Sequence, residues 1–140
     1  MNIEAKVRWV DDRRFVGQAS SGHGIVIDGS DEKLGSSPME LVLMGMVGCT
    51  AYDVISILQK MRQPVTGLEV EAAAQRADEP PRVYTSIELL YLVRGRGISA
   101  KAVEDAIRLS KDKYCSASIM LGKTAEISTR YRIEEGSAVG

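Results

Sequence analysis

The two cysteines, the one histidine and certain of the acids and arginines are the side chains here whose types and places suit covalent or proton chemistry. Cys49 lies in Gly45-Met46-Val47-Gly48-Cys49-Thr50-Ala51-Tyr52-Asp53, inside what reads as an apolar helix. It is either a small hydrophobe filling a core or a nucleophile, and only its thiolate could attack. Asp53 follows four residues later, on the same helical face. A carboxylate there repels a thiolate unless it anchors a basic side chain, and both readings are open. Cys115 closes a later helix, after Lys111 and Lys113, as either a buried residue or a second reactive thiol. His23, in Ser21-Gly22-His23-Gly24, is a turn residue or a base lining a pocket. Two cysteines and one histidine, far apart in sequence, show no metal-ligand spacing, so no metal is expected.

The totals narrow the function classes. A chain of 140 residues is expected to form one domain, from 1 to 134 with a frayed tail at 135–140. It is long enough to fold without disulfides or metal. Its 18 basic and 19 acidic side chains nearly cancel, with no long basic block to bind nucleic acid. The uninterrupted apolar run Leu41 to Cys49 is about half a bilayer span, and the N-terminus lacks a signal-peptide pattern. A cytoplasmic protein that neither enters a membrane nor binds nucleic acid is the expectation. Reducing conditions there disfavour a structural disulfide and leave a transient one open.

Alternation over residues 2 to 10 puts Ile3, Ala5, Val7 and Trp9 on one face, predicting a strand with that face covered. Strands at Arg14 to Ser20 and Ile25 to Ile27 complete a meander. Ser37-Pro38-Met39-Glu40 starts a helix: Ser37 caps it, Pro38 suits its first position, and Glu40 can return to the Ser37 amide. The helix should run to about Lys60 and is apolar nearly all round, which predicts burial. Gly45 and Gly48 each cost about 1 kcal/mol relative to alanine. With Ala51 they form a small-residue stripe suited to a second helix, in this chain or a partner. Strands follow at Leu68 to Gln75 and Arg82 to Val93. Ser99 caps a helix reaching about Tyr114 with Val103, Ala106, Ile107 and Ser110 inward; a short, helix-compatible segment surrounds Ile119 to Leu121. A last strand spans Thr124 to Glu134. The order βββ-α-ββ-α-β predicts an α+β fold. Trp9 and the methionines are assigned to the core.

Three pieces, Ser37-Pro38-Met39-Glu40, Met44-Gly45-Met46-Val47-Gly48-Cys49-Thr50-Ala51 and Lys113-Tyr114-Cys115-Ser116, resemble the OsmC/Ohr family of thiol-dependent hydroperoxide reductases, especially an OsmC-like branch. The element order and the 66-residue separation of the cysteines fit as well. The resemblance implies an intertwined homodimer, sheets packed on two long central helices, and active sites near the subunit interface. It implies that Cys49 reduces an organic hydroperoxide and becomes a sulfenic acid, that Cys115 closes a disulfide, and that an external dithiol or lipoylated protein restores both thiols in oxidative stress defence. No bound cofactor is implied. The family's activating arginine maps to Arg14, with Arg13 next. Its glutamate position is occupied by Met39, Glu40 falling one residue late, and Asp53 is the candidate substitute anchor. Small apolar ligand binding on the same fold and thiol redox sensing are the competing functions.

Overall fold

The structure, a computed structural model, describes residues 1–136, so most of the expected frayed tail lies outside the described residues. The chain falls into two compact units, Met1–Met44 and Gly45–Gly140, and one helix, α1 (Pro38–Lys60), runs from the first into the second.

In the first unit β1 (Ala5–Asp11), β2 (Arg14–Ala19) and β3 (Gly24–Asp28) form an antiparallel meander, as the alternation predicts. Asp28 ends it as a buried carboxylate, accepting the backbone amides of Ser30 at 2.7 Å and Leu34 at 2.9 Å. These bonds fold the polar loop back before the helix. There the capping box forms as expected: the Ser37 amide donates to Glu40 Oε1 at 2.9 Å and the Glu40 amide to Ser37 Oγ at 3.3 Å. The first of those bonds holds the Glu40 carboxyl below its usual range.

The expected burial of the first strand's apolar face is not found among the described residues. Trp9 is 64% exposed, Val7 and Val10 are also exposed, and among the described residues this unit buries no apolar side chain. A sheet face without a layer against it has nothing to bury into, so Trp9 is not core here. Met44, Met61 and Met120 are exposed too; Met46 alone among the methionines is fully buried.

The second unit carries the core. β4 (Val65–Arg76) and β5 (Tyr84–Gly95) form an antiparallel hairpin, and β6 (Glu126–Glu134) joins β5 in parallel. A parallel neighbour requires a crossover, and here it is α2 (Ala100–Leu109), a π-helical turn (Ser110–Tyr114) and α3 (Ser116–Leu121). Central β5 is covered on both faces at Tyr91, Leu92 and Val93, while β6 alternates half-buried and exposed positions. Ser99 caps α2 by accepting the Ala102 amide at 3.2 Å. The predicted stripe of α2 is buried at Val103, Ala106, Ile107 and Ser110, but the α-helix ends at Leu109 rather than near Tyr114. Gly95 must be glycine, because a Cβ there would run into the Pro64 carbonyl oxygen.

By length and composition α1 is also long and apolar enough to cross a membrane. Met46, Thr50, Val54 and Leu58, one per four residues, are nonetheless fully buried within the chain, which makes this row a core stripe. The remaining circumference is not covered as expected: Tyr52 is 73% exposed, with Val42 and Met44. A Cβ added at Gly45 or Gly48 would meet nothing within 4 Å, so among the described residues no second helix uses the small-residue stripe.

Candidate functional site

Helical periodicity puts Cys49 and Asp53 one turn apart on α1, beside the buried row. The crossover brings Cys115 to them. The sulfurs of Cys49 and Cys115 and a carboxylate oxygen of Asp53 all lie within 4.8 Å of one another. Three potential ligands with no telling sequence spacing therefore meet in space, because two come from one helix and the third from a segment that folds back over it.

Cys115 sits between the π turn and α3. Its amide donates to the Ser110 carbonyl at 2.8 Å, closing the wide turn, and its side chain caps α3. The Ser118 amide and hydroxyl donate to its sulfur at 3.3 and 3.0 Å. Burial pushes the Cys115 thiol above its ordinary value; the Ser118 hydroxyl opposes this, and the Cys49 side chain adds to it. Cys115 is fully buried and stays protonated near neutrality, whereas Cys49 is half-buried.

A chain of hydroxyls leads to Asp53. Ser110 Oγ donates to Asp53 Oδ2 at 3.0 Å, Thr50 Oγ1 lies 2.8 Å from Ser110 Oγ, and Tyr91 Oη lies 2.7 Å from Thr50 Oγ1. Each hydroxyl has one proton to give. With the Ser110 proton on Asp53, Ser110 accepts from Thr50 and Thr50 accepts from Tyr91. The run is therefore polarised from Tyr91 through Thr50 and Ser110 to Asp53. Burial raises the Tyr91 phenol further above neutrality, keeping its proton in place as donor. Among the described residues Asp53 forms no ion pair, and this hydroxyl chain is what holds it.

The other expected site residues have local partners. Arg14 donates to Asp11 at 2.7 and 2.9 Å and pairs with Glu32 at 3.1 Å and buried Asp28 at 3.9 Å. These acids raise its already high pKa, the Asp11 hydrogen bonds most. Arg13 is exposed, and its carbonyl accepts the Gly29 amide. His23 is exposed with its ring 3.4 Å from Ser21 Oγ, and Glu40 closes the capping box. Lys113 lies over the Tyr114 ring, 5.2 Å from its centre.

Sequence reasoning missed Thr50, Tyr91 and Ser118 and placed Ser110 only as a packing residue. One signal was present: a serine on an otherwise apolar helical stripe requires a hydrogen-bond partner once buried.

Residues 29–130 match the family described as OsmC-like protein. Protein YhfA of Escherichia coli (strain K12) is 44% identical over 131 residues, covering 94% of this chain and 98% of that protein. The crystal structure of a hypothetical protein from Aquifex aeolicus VF5 superposes with a TM-score of 0.89 at 28% identity, covering 98% of this chain and 99% of that one. The organic hydroperoxide resistance protein OhrB of Bacillus subtilis shares the fold at 12% identity, with a TM-score of 0.67 over 94% of this chain and 98% of its own. The family match and the extent of the YhfA likeness establish that the chain is a member of the OsmC-like family, with the α+β OsmC fold.

Proposed function

We propose that this protein is a thiol-dependent peroxidase that reduces organic hydroperoxides to alcohols in oxidative stress defence. The observation that carries the proposal is the convergence of Cys49, Cys115 and Asp53 within 4.8 Å. Half-buried Cys49 is the attacking thiol and buried Cys115 the resolving one.

The steps use residues of the second unit alone. Asp53 accepts the Cys49 proton, and the thiolate attacks the outer oxygen of the hydroperoxide. The O–O bond breaks, the departing alkoxide takes the proton from Asp53, and Cys49 is left as a sulfenic acid. The Cys115 sulfur then displaces the sulfenic oxygen, which leaves as water with the Cys115 proton, and a disulfide forms. An external dithiol, free or carried on a lipoylated protein, supplies two electrons and two protons to restore both thiols. The hydroxyl chain from Tyr91 keeps the Asp53 carboxylate turned toward the sulfurs without supplying net charge.

The working unit is proposed to be a homodimer. Supporting this are the exposed apolar residues Val7 and Trp9 of β1 and Val42, Met44 and Tyr52 of α1, together with the open faces of Gly45 and Gly48. A second copy of α1 would fill that stripe.

Stopped-flow mixing of reduced protein with cumene hydroperoxide and with hydrogen peroxide tests the reaction. Expected are a fast loss of one thiol, faster with the organic peroxide, and then an intramolecular disulfide. Cys49→Ser should remove the fast phase, and Cys115→Ser should leave a trappable sulfenic acid on Cys49. Reaction no faster than a free alkyl thiol would refute the proposal.

A further inference from the structure

We propose that the reduced Cys49 and Cys115 thiols and the Asp53 carboxylate form a binding site for a soft divalent metal ion of the zinc class.

The donor set selects the metal. Two thiolate sulfurs suit zinc and its neighbours, whereas calcium and magnesium require oxygen ligands. The geometry is close to what zinc takes. Zn–S bonds of about 2.3 Å and Zn–O bonds of about 2.0–2.2 Å place tetrahedral ligand atoms roughly 3.5–3.8 Å apart. The three donor atoms lie within 4.8 Å of one another, so small side-chain rotations of about 1 Å close the set. Two of the donors come from successive turns of one regular helix and the third from a residue anchored at both neighbouring elements.

The surroundings resemble an outer shell that orients ligands. Ser110 donates to Asp53 and Ser118 donates to the Cys115 sulfur, in each case leaving further lone pairs on the ligand atom. Charge favours a dication. Ionising both thiols beside Asp53 would gather three negative charges where, among the described residues, Asp53 has no ion-pair partner. A divalent cation displaces the two thiol protons and leaves the centre at minus one. Because Cys49 is half-buried, the fourth position is open to water or to a ligand from outside the chain. The ligands are the same three residues that the proposed peroxidase uses, but metal binding by the reduced thiols does not depend on that reaction. The regulatory consequence, that bound metal blocks Cys49 against hydroperoxide, rests on the proposed function.

The test uses the full chain, reduced and stripped with a chelator. Zinc is titrated against a competing chromophoric chelator, and Co(II) serves as the spectroscopic probe. Expected are one ion per chain, sulfur-to-cobalt charge-transfer absorption with intense tetrahedral d–d bands, and release of about two protons, since thiols must deprotonate to bind. Asp53→Asn should weaken binding at least ten-fold while the sulfur-to-cobalt bands persist. The protein oxidised to the Cys49–Cys115 disulfide, which leaves the fold's other residues untouched, should lose binding. Zinc affinity no tighter than that of a Cys49→Ser/Cys115→Ser variant, or undiminished by Asp53→Asn, would overturn the site. Peroxide reactivity is read separately on the metal-free protein. Slow peroxide reaction with intact cobalt bands refutes the peroxidase and keeps the site; the reverse result refutes the site and keeps the peroxidase.

Discussion

Thr50→Val removes the middle of the hydroxyl chain while preserving the branched shape of the side chain. In the native protein Thr50 is fully buried, 2.7 Å from Tyr91 Oη and 2.8 Å from Ser110 Oγ. The valine leaves the buried Tyr91 hydroxyl with no acceptor at that position, at a cost of about 1–3 kcal/mol for an unsatisfied polar group. Ser110 keeps its bond to Asp53 and loses only the one it accepted, about 0.5–1.5 kcal/mol. The extra methyl returns about 0.8 kcal/mol of apolar burial. The balance is a loss of about 2 kcal/mol, a large share of the 5–15 kcal/mol that typically holds a domain folded. Urea unfolding followed by far-UV circular dichroism, at fixed protein concentration under reducing conditions, should show the midpoint falling by roughly 1 M with little change in slope. Tyr91→Phe in the Thr50→Val background deletes the orphaned hydroxyl and should recover about 1 kcal/mol, making the double variant less damaged than the sum of the singles. A Thr50→Val loss below about 0.5 kcal/mol, or strict additivity with Tyr91→Phe, would refute the polarised chain.

Two further perturbations address the proposed dimer and the buried thiol. Gly48→Leu puts a branched side chain on the open stripe of α1, where an added Cβ meets nothing within 4 Å among the described residues. Sedimentation should show dimer weakened at least ten-fold while each chain stays helical, and an unchanged dimer would remove that stripe from the interface. The raised Cys115 thiol makes stability depend on alkaline pH. The native state keeps a proton that the unfolded chain releases, so the contribution is complete below the unfolded thiol's value of about 8.5 and is lost as pH rises beyond it. Urea midpoints from pH 7.5 upward should fall more steeply for the native chain than for Cys115→Ala; parallel curves would contradict the buried, protonated thiol.

Local chemistry made much of the fold legible. Ser37, Pro38 and Glu40 marked the start of α1, Ser99 marked the start of α2, and alternation marked β1. Periodicity reports which face is apolar, not what covers it: Trp9 was assigned to a core and is exposed, and the stripe of Gly45 and Gly48, assigned to a second helix in this chain or a partner, meets nothing among the described residues. At the site, Cys49 and Asp53 could be paired through helical spacing, and Cys115 through resemblance to a family. Thr50 meets Tyr91 from 41 residues away and Ser110 from 60, distances over which no local pattern runs.

The π turn is the element on which the site geometry depends most. On a continuous α-helix, residues five apart differ by about 140° around the axis, so Ser110 and Cys115 would face away from each other. The bond from the Cys115 amide to the Ser110 carbonyl closes a turn over five residues instead. Ser110 can then hold Asp53 while Cys115, released into an extended conformation at ψ 100°, caps α3 and reaches the same carboxylate with its sulfur. The inner stripe of α2 and Cys115 therefore belong to different helical registers, joined by one wider turn. Neither register alone delivers both residues, which is why a single periodic helix drawn from Ser99 to Tyr114 accounts for the packing of Val103 and Ala106 and not for the chemistry at Cys115.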